Sequence, residues 1–444
     1  MPDDGFVQFN KHIIEYMRGV YVLLLISLFG YAGRVGGQES VTITQCYEWA
    51  RANYPQIHQM GLIDQTERYS LSNVGKAWLP QLSVSGKASY QSDVTKLPLD
   101  GDKISSLLPG FEIPSLSKDQ YQVVAQVDQT IWDGGSARSA RALTRAEATA
   151  NREQLESELY ALNDRVNQLY FGCLLQDELI RQNALLQKEL QVNIERIEAM
   201  MENGVANQSD LESMEVELLN ARQNEIELKA SRTVYRQMLA TFINKPLTDQ
   251  VVLKTPESPE RSLSTQINRP ELRALDAKSE WIETQNKQVT AGLMPRIGAF
   301  VQGGYGRPGL NMLEDSFEPY YVAGVRLSWN LGKLYTLKND RRKIEVSRRQ
   351  IDVQRETFLF NTRLQLLRQN TEIKKMTDLM RADDDIIRLR TSIKQAAEVK
   401  LENGVISVTD LIREINAEDM ARQTAAAHRV QRLMTIYNYM YTTN

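Results

Sequence analysis

The chain has 444 residues, a formal net charge of -3 and 25% charged residues. This balance supplies neither the broad basic surface that nucleic acid requires nor an acidic tail, so no nucleic-acid partner is predicted. The hydrophobic content of 42% and the mean hydropathy of -0.41 exclude a polytopic helical membrane protein. A membrane-spanning part must then be a β-barrel or a single N-terminal helix.

A short apolar run near the N-terminus indicates export. Val20–Phe29 contains mostly apolar residues, follows basic residues, and has roughly half the length that a bilayer-spanning helix needs. We therefore predict a signal-peptide region over residues 1–37, with a signal anchor as the alternative. The cleavage site and the true start, Met1 or Met17, stay open.

The first half of the chain predicts a helix, two short strands, a long helix, a turn and a returning helix. Pro80 ends the first helix and passes the chain to strands in which apolar and polar residues alternate. The long helix carries a coiled-coil heptad seam formed by Leu155, Leu159, Leu162, Val166 and Leu169. The predicted elements are the helix 44–78, the strands 81–90 and 122–132, the helix 136–202 and the helix 209–242.

The second half predicts the same elements in the same order. Its long helix contains no proline, and Ile344, Ile351 and Phe358 recur on it at a spacing of seven. Aromatic residues at the last strand, Tyr320, Tyr321 and Trp329, are predicted to lie at a membrane interface. The predicted elements are the helix 270–294, the strands 296–305 and 320–329, the helix 333–402 and the helix 408–439.

Paired motifs indicate that one architecture occurs twice. Residues 202–205 read Glu-Asn-Gly-Val and are followed by Asp210, and the same four residues recur at 402–405, followed by Asp410. Repetition of this kind predicts a structural duplication. The predicted divisions are residues 38–243 for the first repeat, residues 244–268 for a connecting segment and residues 269–444 for the second repeat.

Residues for enzymatic chemistry do not cluster in the sequence. The three histidines are not paired at metal spacing, and no cysteine cluster, phosphate-binding loop or nucleophile motif occurs. Cys46 and Cys173 are too few for a disulfide scaffold, and the residues before Cys46 lack the pattern of a lipid-attachment site. The run Asp383–Asp385 is interpreted as a solvated helix face. We predict no enzyme, no catalytic residue, no cofactor and no metal.

Four strands cannot close a membrane barrel, because even small closed barrels need about eight. A single copy would leave unpaired strand edges in lipid. If the alternating faces are those of a barrel, several copies must each supply part of the wall, and cyclic symmetry would close it. The sequence does not fix the number of copies.

The doubled order of elements, the Asn-Gly-Val turns and the Trp-Asp-Gly-Gly of residues 132–135 resemble the TolC family of outer-membrane efflux proteins. The resemblance spans nearly all of the chain after the signal-peptide region. It implies a mainly α fold with a small β part. In the implied homotrimer, a membrane β-barrel of twelve strands, four from each protomer, continues into a long coiled-coil α-barrel.

The resemblance also implies a function and its partners. The expected function is that of the outer-membrane channel component of a tripartite efflux or type I secretion system, which passively conducts substrates from the periplasm to the exterior. The expected partners are a periplasmic adaptor (membrane fusion) protein, an inner-membrane pump of the RND or ABC type, and outer-membrane lipid. The expected location is the outer membrane of a Gram-negative bacterium, extending into the periplasm.

Site residues follow from the same resemblance. The residues that match adaptor-docking tips are Asn203, Gly204, Val205, Asn403, Gly404 and Val405. Asp410 matches an acidic residue that lines the closed periplasmic gate in TolC. Asp210 matches another TolC position, which forms a pair across the tip with a TolC arginine. Ser209 or Thr409 is expected to cap the helix that follows each turn.

The sequence departs from TolC at the gate, and several alternatives stay open. Ile406 stands where TolC has the pairing arginine, and Arg413 stands where it has a second acid, so gate pairing and ion selectivity are not assigned. Asp210 and Asp410 are also interpretable as solvated aspartates favoured by the helix dipole. The alternative function is a non-pore coiled-coil scaffold, periplasmic or anchored, which accounts for the heptads but not for the four strands. The transported substrate, the pump and the adaptor are not readable.

Overall fold

The computed structural model describes residues 40–95, 116–258 and 264–444, which are mainly helical with a small β part, as predicted. The predicted signal-peptide region lies outside the described residues. The elements in chain order are β1 (Ser40–Val41), α1 (Ile43–Asn53), α2 (Gln59–Lys76), β2 (Gln81–Tyr90), β3 (Asp119–Trp132), α3 (Ser136–Tyr160), α4 (Leu162–Glu202), α5 (Gln208–Ile243), β4 (Val252–Leu253), α6 (Pro270–Ala291), β5 (Arg296–Arg307), β6 (Glu318–Ser328), α7 (Lys333–Glu402) and α8 (Val408–Thr443). Among these helices none is both long and apolar enough to span a membrane.

Two of the predicted helices are interrupted. The predicted helix 44–78 is divided by a short 3₁₀ turn, Pro55–His58, because a proline lacks the backbone N–H and holds Tyr54 before it in an extended conformation. The predicted helix 136–202 is divided at Ala161, whose amide is shared between two preceding carbonyl groups while its backbone stays right-handed. The other long helix, α7, runs without interruption over 70 residues, as predicted.

The four predicted strands form one antiparallel sheet in the order β2-β3-β5-β6. β2 pairs with β3 and β5 pairs with β6, and β3 pairs with β5 across the long helical segment that separates them in sequence. A second, parallel pair joins β1 to β4 and was not predicted. The run Gly303–Gly306 lies within β5 and contains no turn.

The two faces of the four-stranded sheet differ in chemistry, because successive residues of a strand point to opposite faces. One face is apolar, and its side chains are largely exposed in the isolated chain: Leu82 72%, Val84 70%, Tyr321 79%, Val325 70% and Leu327 66%. The other face, which we call the polar face, carries Ser83, Ser85, Lys87, Gln122, Gln126, Asp128, Gln302 and Arg326. Tyr320 belongs to the polar face, so its prediction as an interface aromatic beside Tyr321 was wrong.

The described residues fall into two compact units, each drawn from both halves of the sequence. In the first unit, the C-terminal ends of α4 and α7 pack with the N-terminal ends of α5 and α8. Their shared core includes Leu190, Ile197, Met214, Leu411 and Ile415. In the second unit, α6 packs along α3, and the predicted seam residues Ile344 and Ile351 of α7 are buried against Ile282 of α6. The predicted division into repeats stays a prediction.

The small parallel sheet is fastened to α4 by one tyrosine. The Tyr170 hydroxyl lies 2.8 Å from the Val41 carbonyl oxygen and 2.7 Å from that of Lys254, and the Tyr170 side chain is fully buried. The Lys254 amide in turn donates to the Val41 carbonyl at 3.0 Å. The hydroxyl thus joins both strands of the sheet to the helix.

We expect Tyr170→Phe to loosen this sheet, because the Val41 and Lys254 carbonyl groups lose the one hydroxyl proton that they share. The local cost should be about 1–2 kcal/mol. Hydrogen exchange of the Lys254 amide should then accelerate roughly five- to thirty-fold. Tyr335→Phe, at a residue that is 89% exposed, is the control and should leave that exchange unchanged. Equal protection of Lys254 in both variants would contradict this role.

Candidate functional site

The two predicted tip turns have the same backbone geometry. Gly204 and Gly404 adopt positive φ angles of 70° and 68°. After each preceding helix, the glycine amide donates to the carbonyl three residues back, at 2.9 and 2.8 Å, and the following valine amide donates to the carbonyl five residues back. This pattern is the Schellman motif, in which a left-handed residue ends a helix and satisfies its last carbonyl groups. Both glycines are therefore required by backbone conformation.

The asparagines of the tips act through their side chains. The Asn203 amide nitrogen donates to the Ala199 carbonyl at 2.8 Å, and the Asn403 amide nitrogen donates to the Val399 carbonyl at 2.7 Å. Neither asparagine has a left-handed backbone, since Asn244 is the one non-glycine residue with positive φ in the described part of the chain. Their role in the turns is thus to satisfy helix-end carbonyl groups.

The predicted gate aspartates both lie in helix caps. Asp210 accepts from the Asn207 amide at 3.1 Å, and its own amide donates to the Asn207 side chain at 3.1 Å. Asp410 forms the equivalent reciprocal pair with Ser407, at 3.2 Å in each direction. These are capping boxes, so the cap residues are Asn207 and Ser407. The predicted caps Ser209 and Thr409 were wrong by two residues, because each lies inside the first turn of its helix.

Asp410 is held in its charged form by its own chain. Hydrogen bonds from the Ser407 hydroxyl, at 2.8 Å, and from the Ser407 amide lower the pKa of Asp410, and the Arg413 guanidinium, at 3.3 Å, adds to this effect. Arg413 therefore pairs with Asp410 within its helix. Ile406, which replaces the expected arginine, packs against the core of the first unit. An ion pair across the tip from position 406 is thus absent from this chain.

Each tip exposes one valine among polar residues. The Val205 residue is 57% exposed and the Val405 residue is 69% exposed, although both lie at the ends of helices that bury aliphatic side chains one turn earlier. The docking of an adaptor by these residues stays a prediction. The geometry provides two rigid, glycine-shaped turns, each with one exposed valine.

A buried ion cluster that the sequence did not reveal lies between three helices of the first unit. Lys394 of α7 lies 2.6 Å from Glu418 of α8 and also pairs with Glu189 of α4. Burial alone would lower the pKa of Lys394, but the hydrogen bonds that its ammonium group donates to the two glutamates raise it above its ordinary value. Glu418, whose side chain is 3% exposed, also accepts from Thr391 at 2.5 Å. No local sequence signal marks this cluster, because Glu189 and Lys394 are 205 positions apart.

Asp419 lies next to this cluster. Burial, together with the negative charges of Glu189 and Glu418, raises the pKa of Asp419 to about 6, against the lowering effects of a hydrogen bond from Gln423 and of the Arg422 charge. Its proton therefore binds more tightly in the folded state than in an unfolded chain.

Two further sequence interpretations are settled by contacts within the first unit. Asp383 is 6% exposed, and its carboxylate lies 2.7 Å from the His428 ring Nδ1 of α8, so its interpretation as a solvated residue was wrong. Its neighbours Asp384 and Asp385 are exposed, as expected. Cys46 and Cys173 are free thiols with no exposed surface, and burial raises the pKa of each to about 12. No group of acidic, histidine or cysteine side chains in the described ranges is arranged to hold a metal.

Alanine at either tip glycine should strain the turn. A Cβ atom at Gly204 or Gly404 would meet no other atom within 4 Å, so the left-handed backbone alone sets the cost, which is about 1–2 kcal/mol. We expect faster hydrogen exchange of the Val205 amide in Gly204→Ala and of the Val405 amide in Gly404→Ala.

Gly61→Ala is the matched control, because Gly61 lies within α2 and its Cβ would also contact nothing. That substitution should stabilise its helix by about 0.5–1 kcal/mol. Tip variants that exchange as slowly as the parent protein would contradict the strain assigned to the turns.

Stability of the first unit should fall as pH rises through the pKa of Asp419. The pKa of Asp419 in the folded protein, about 6, lies above its ordinary value of 3.8, so the full contribution to stability is present below pH 4 and is lost above pH 6. At pH 8 the Asp419→Asn variant should be more stable than the parent by about 1–2 kcal/mol in the free energy of unfolding, after discounting for partial exposure. It should therefore unfold at a higher temperature. Near pH 4 the two proteins should melt together, and a constant difference at both pH values would contradict the assignment.

Comparisons with known proteins agree with this architecture. Residues 46–245 match a family model described as outer membrane efflux protein. A search of curated proteins finds no significant match. Among solved structures, a crystal structure of CusC is 15% identical, covers 90% of this chain and 92% of its own, and superposes with a TM-score of 0.64.

Two channels of named organisms share the fold as well. The open state of the MtrE outer membrane channel of Neisseria gonorrhoeae is 14% identical over 90% of this chain and 88% of its own, with a TM-score of 0.62. The outer membrane protein VceC of Vibrio cholerae is 12% identical over 90% and 95%, with a TM-score of 0.60. The resemblance found in the sequence is therefore confirmed: residues 46–245 match the outer membrane efflux protein family, and solved outer-membrane channels share the fold over 90% of this chain.

Proposed function

We propose that this chain is one subunit of a homotrimeric outer-membrane duct that passively conducts substrates from the periplasm to the exterior of a Gram-negative cell. The carrying observation is an open four-stranded sheet with one apolar face and two unpaired edges, β2 and β6. Backbone groups at such edges cannot stay unpaired in lipid, where each costs several kcal/mol. Pairing β6 of one copy with β2 of the next removes both edges.

Three copies bring the wall to twelve strands, which exceeds the roughly eight that the smallest closed barrels need. The apolar face then meets lipid, and the polar face lines the duct. A closed ring also matches the preference of homo-oligomers for cyclic symmetry. The exposure of Leu82, Val84 and Leu327 in the isolated chain becomes lipid contact in the assembly.

The helix α7 carries an exposed apolar seam that is suited to packing against another copy. Beside its buried seam, α7 presents a second seam at a spacing of seven, and its members are exposed by 54–65%: Val346, Val353, Phe360 and Leu367. Apolar residues repeated every seven positions are the pattern with which one helix packs against another. A helix with two such seams has a neighbour on each side, as the wall of an α-barrel requires.

The tips complete the proposed assembly. We assign the exposed turns with Val205 and Val405 to docking of a periplasmic adaptor, which would join the duct to an inner-membrane pump of the RND or ABC type in an efflux or type I secretion system. Asp410 and Asp210 remain the proposed gate residues, because their carboxylates are charged cap groups at the same tips. The intrahelical pair of Asp410 with Arg413 predicts a weaker acidic ring than two unpaired acids would give.

The sheet edges provide a direct test. Ser85 of β2 and Val322 of β6 lie on the polar face, at opposite edges and three strand spacings apart within one chain, which is about 14 Å. In the double variant Ser85→Cys with Val322→Cys, a short bifunctional maleimide should link copies into covalent dimers and trimers. The native thiols of Cys46 and Cys173 are buried and should not react.

Each single variant is the matched control and should give no trimer. The same protein should form ion-conducting pores in planar bilayers and a heat-modifiable trimer in detergent. A soluble helical dimer without conductance would contradict the duct and support the non-pore scaffold. The finding of an intact trimer without β2-to-β6 linkage would contradict the edge pairing alone.

A further inference from the structure

The polar face of the sheet ends in a cavity of about 460 Å³ where the strands meet α2 and α3. Its lining includes Arg296, Arg326, Asp128, Phe300 and Trp78. All belong to the second compact unit. Two guanidinium groups and the rings of Phe300 and Trp78 thus share one concave surface.

The rings of Phe300 and Tyr320 lie flat on the polar face because each is paired with a glycine on the neighbouring strand. Phe300 is paired in register with Gly324, where an added Cβ would lie 3.1 Å from the phenyl ring. Tyr320 covers Gly304 in the same way, and an added Cβ there would overlap the phenol ring. The rings therefore occupy space that a side chain on the next strand would fill, and they project little from the wall.

The guanidinium of Arg326 is fixed on this surface. Its Cζ atom lies 4.8 Å from the centroid of the Phe300 ring, and its Nη1 lies 3.7 Å from the Asp128 carboxylate. The other oxygen of Asp128 accepts from Gln126 at 2.7 Å. Both charged side chains remain about half exposed, 58% for Arg326 and 42% for Asp128. Pairs this exposed contribute little to stability, so their effect is mainly on the potential that a passing solute meets.

Positive charge exceeds negative charge at this level of the sheet. Arg296 donates to the Ser136 hydroxyl at 3.2 Å, a contact that leaves its charge uncompensated. The second acidic residue of the lining, Asp133, accepts from the amides of Gly135 and Ala137 at 2.9 and 2.6 Å, where the positive end of the α3 dipole offsets it. Two arginines thus share one carboxylate that no helix dipole offsets, that of Asp128.

We propose that Arg326 and Arg296, with Asp128 as a partial counter-ion, form a cationic ring that makes the sheet end of the duct favour anionic solutes. The inference rests on the proposed function, in which the polar face lines the duct and three copies bring six guanidinium groups into one ring. Cargo that carries carboxylate, sulfonate or phosphate groups is the class this ring would attract. Fixed charges around a narrow aqueous pore select ions by sign in this way.

The test measures the ratio of chloride to potassium permeability from reversal potentials in planar bilayers under a potassium chloride gradient. Arg326→Gln should lower the ratio and Asp128→Asn should raise it, each by about two- to five-fold for one partly screened charge per copy. The opposite signs make the result independent of any charge at the tips. Arg326→Lys retains the charge and should keep the parent ratio, and Leu327→Ala on the apolar face should also leave it unchanged.

The outcomes separate the two proposals. Pores that open normally but show the parent ratio in both Arg326→Gln and Asp128→Asn would overturn the cationic ring and leave the duct in place. A shift of the same sign in both variants would overturn it as well, because a change of pore shape would then be the cause. The absence of any conductance from the unaltered trimer would overturn both proposals.

Discussion

Unpaired backbone at the two edges of a single sheet is the constraint on which the proposed assembly depends. The four strands satisfy one another internally, but the outer N–H and C=O groups of β2 and β6 have no partner within this sheet. Water could solvate those groups, yet the adjoining face carries Leu82, Tyr321 and Leu327, which water does not favour. The apolar face requires lipid, and the two edge strands require hydrogen-bond partners. Closure of the sheet with other copies meets both requirements at once.

The tips illustrate how one residue serves both backbone and function. Asp210 and Asp410 occupy the third helical position after the cap, where a carboxylate satisfies an otherwise unpaired amide and benefits from the helix dipole. That structural role accounts for an aspartate at each position without a gate. It also keeps each carboxylate at a fixed place, and at Asp410 the cap hydrogen bonds lower the pKa and so favour the charged form that a gate needs. A role in gating therefore adds to the capping role and does not replace it.

The sequence predicted those features that depend on neighbours along the chain. The strand starts at Gln81 and Arg296 were correct, because a proline before each one excludes further helix and a period of two then begins. The uninterrupted α7 followed from its heptad and the absence of proline. Features that depend on distant residues were missed: the β1–β4 pair is only two residues wide, and the burial of Asp383 requires His428, 45 positions away. Tyr320 was misplaced because aromatic content alone does not say which face of a strand a residue occupies.

The buried ion cluster of the first unit adds a constraint that its aliphatic core lacks. A seam of aliphatic residues repeats every seven positions, so a helix can slip by one heptad and still bury similar side chains. Lys394 does not tolerate such a slip, because its partners Glu418 and Glu189 lie on two different helices and a shifted lysine would be buried without them. Leaving one buried charge unpaired costs about 3–5 kcal/mol, more than the net gain from forming the pair. The cluster therefore contributes to the register of α8 against α4 and α7 more than to their total stability, and the tip turns depend on that register for their position.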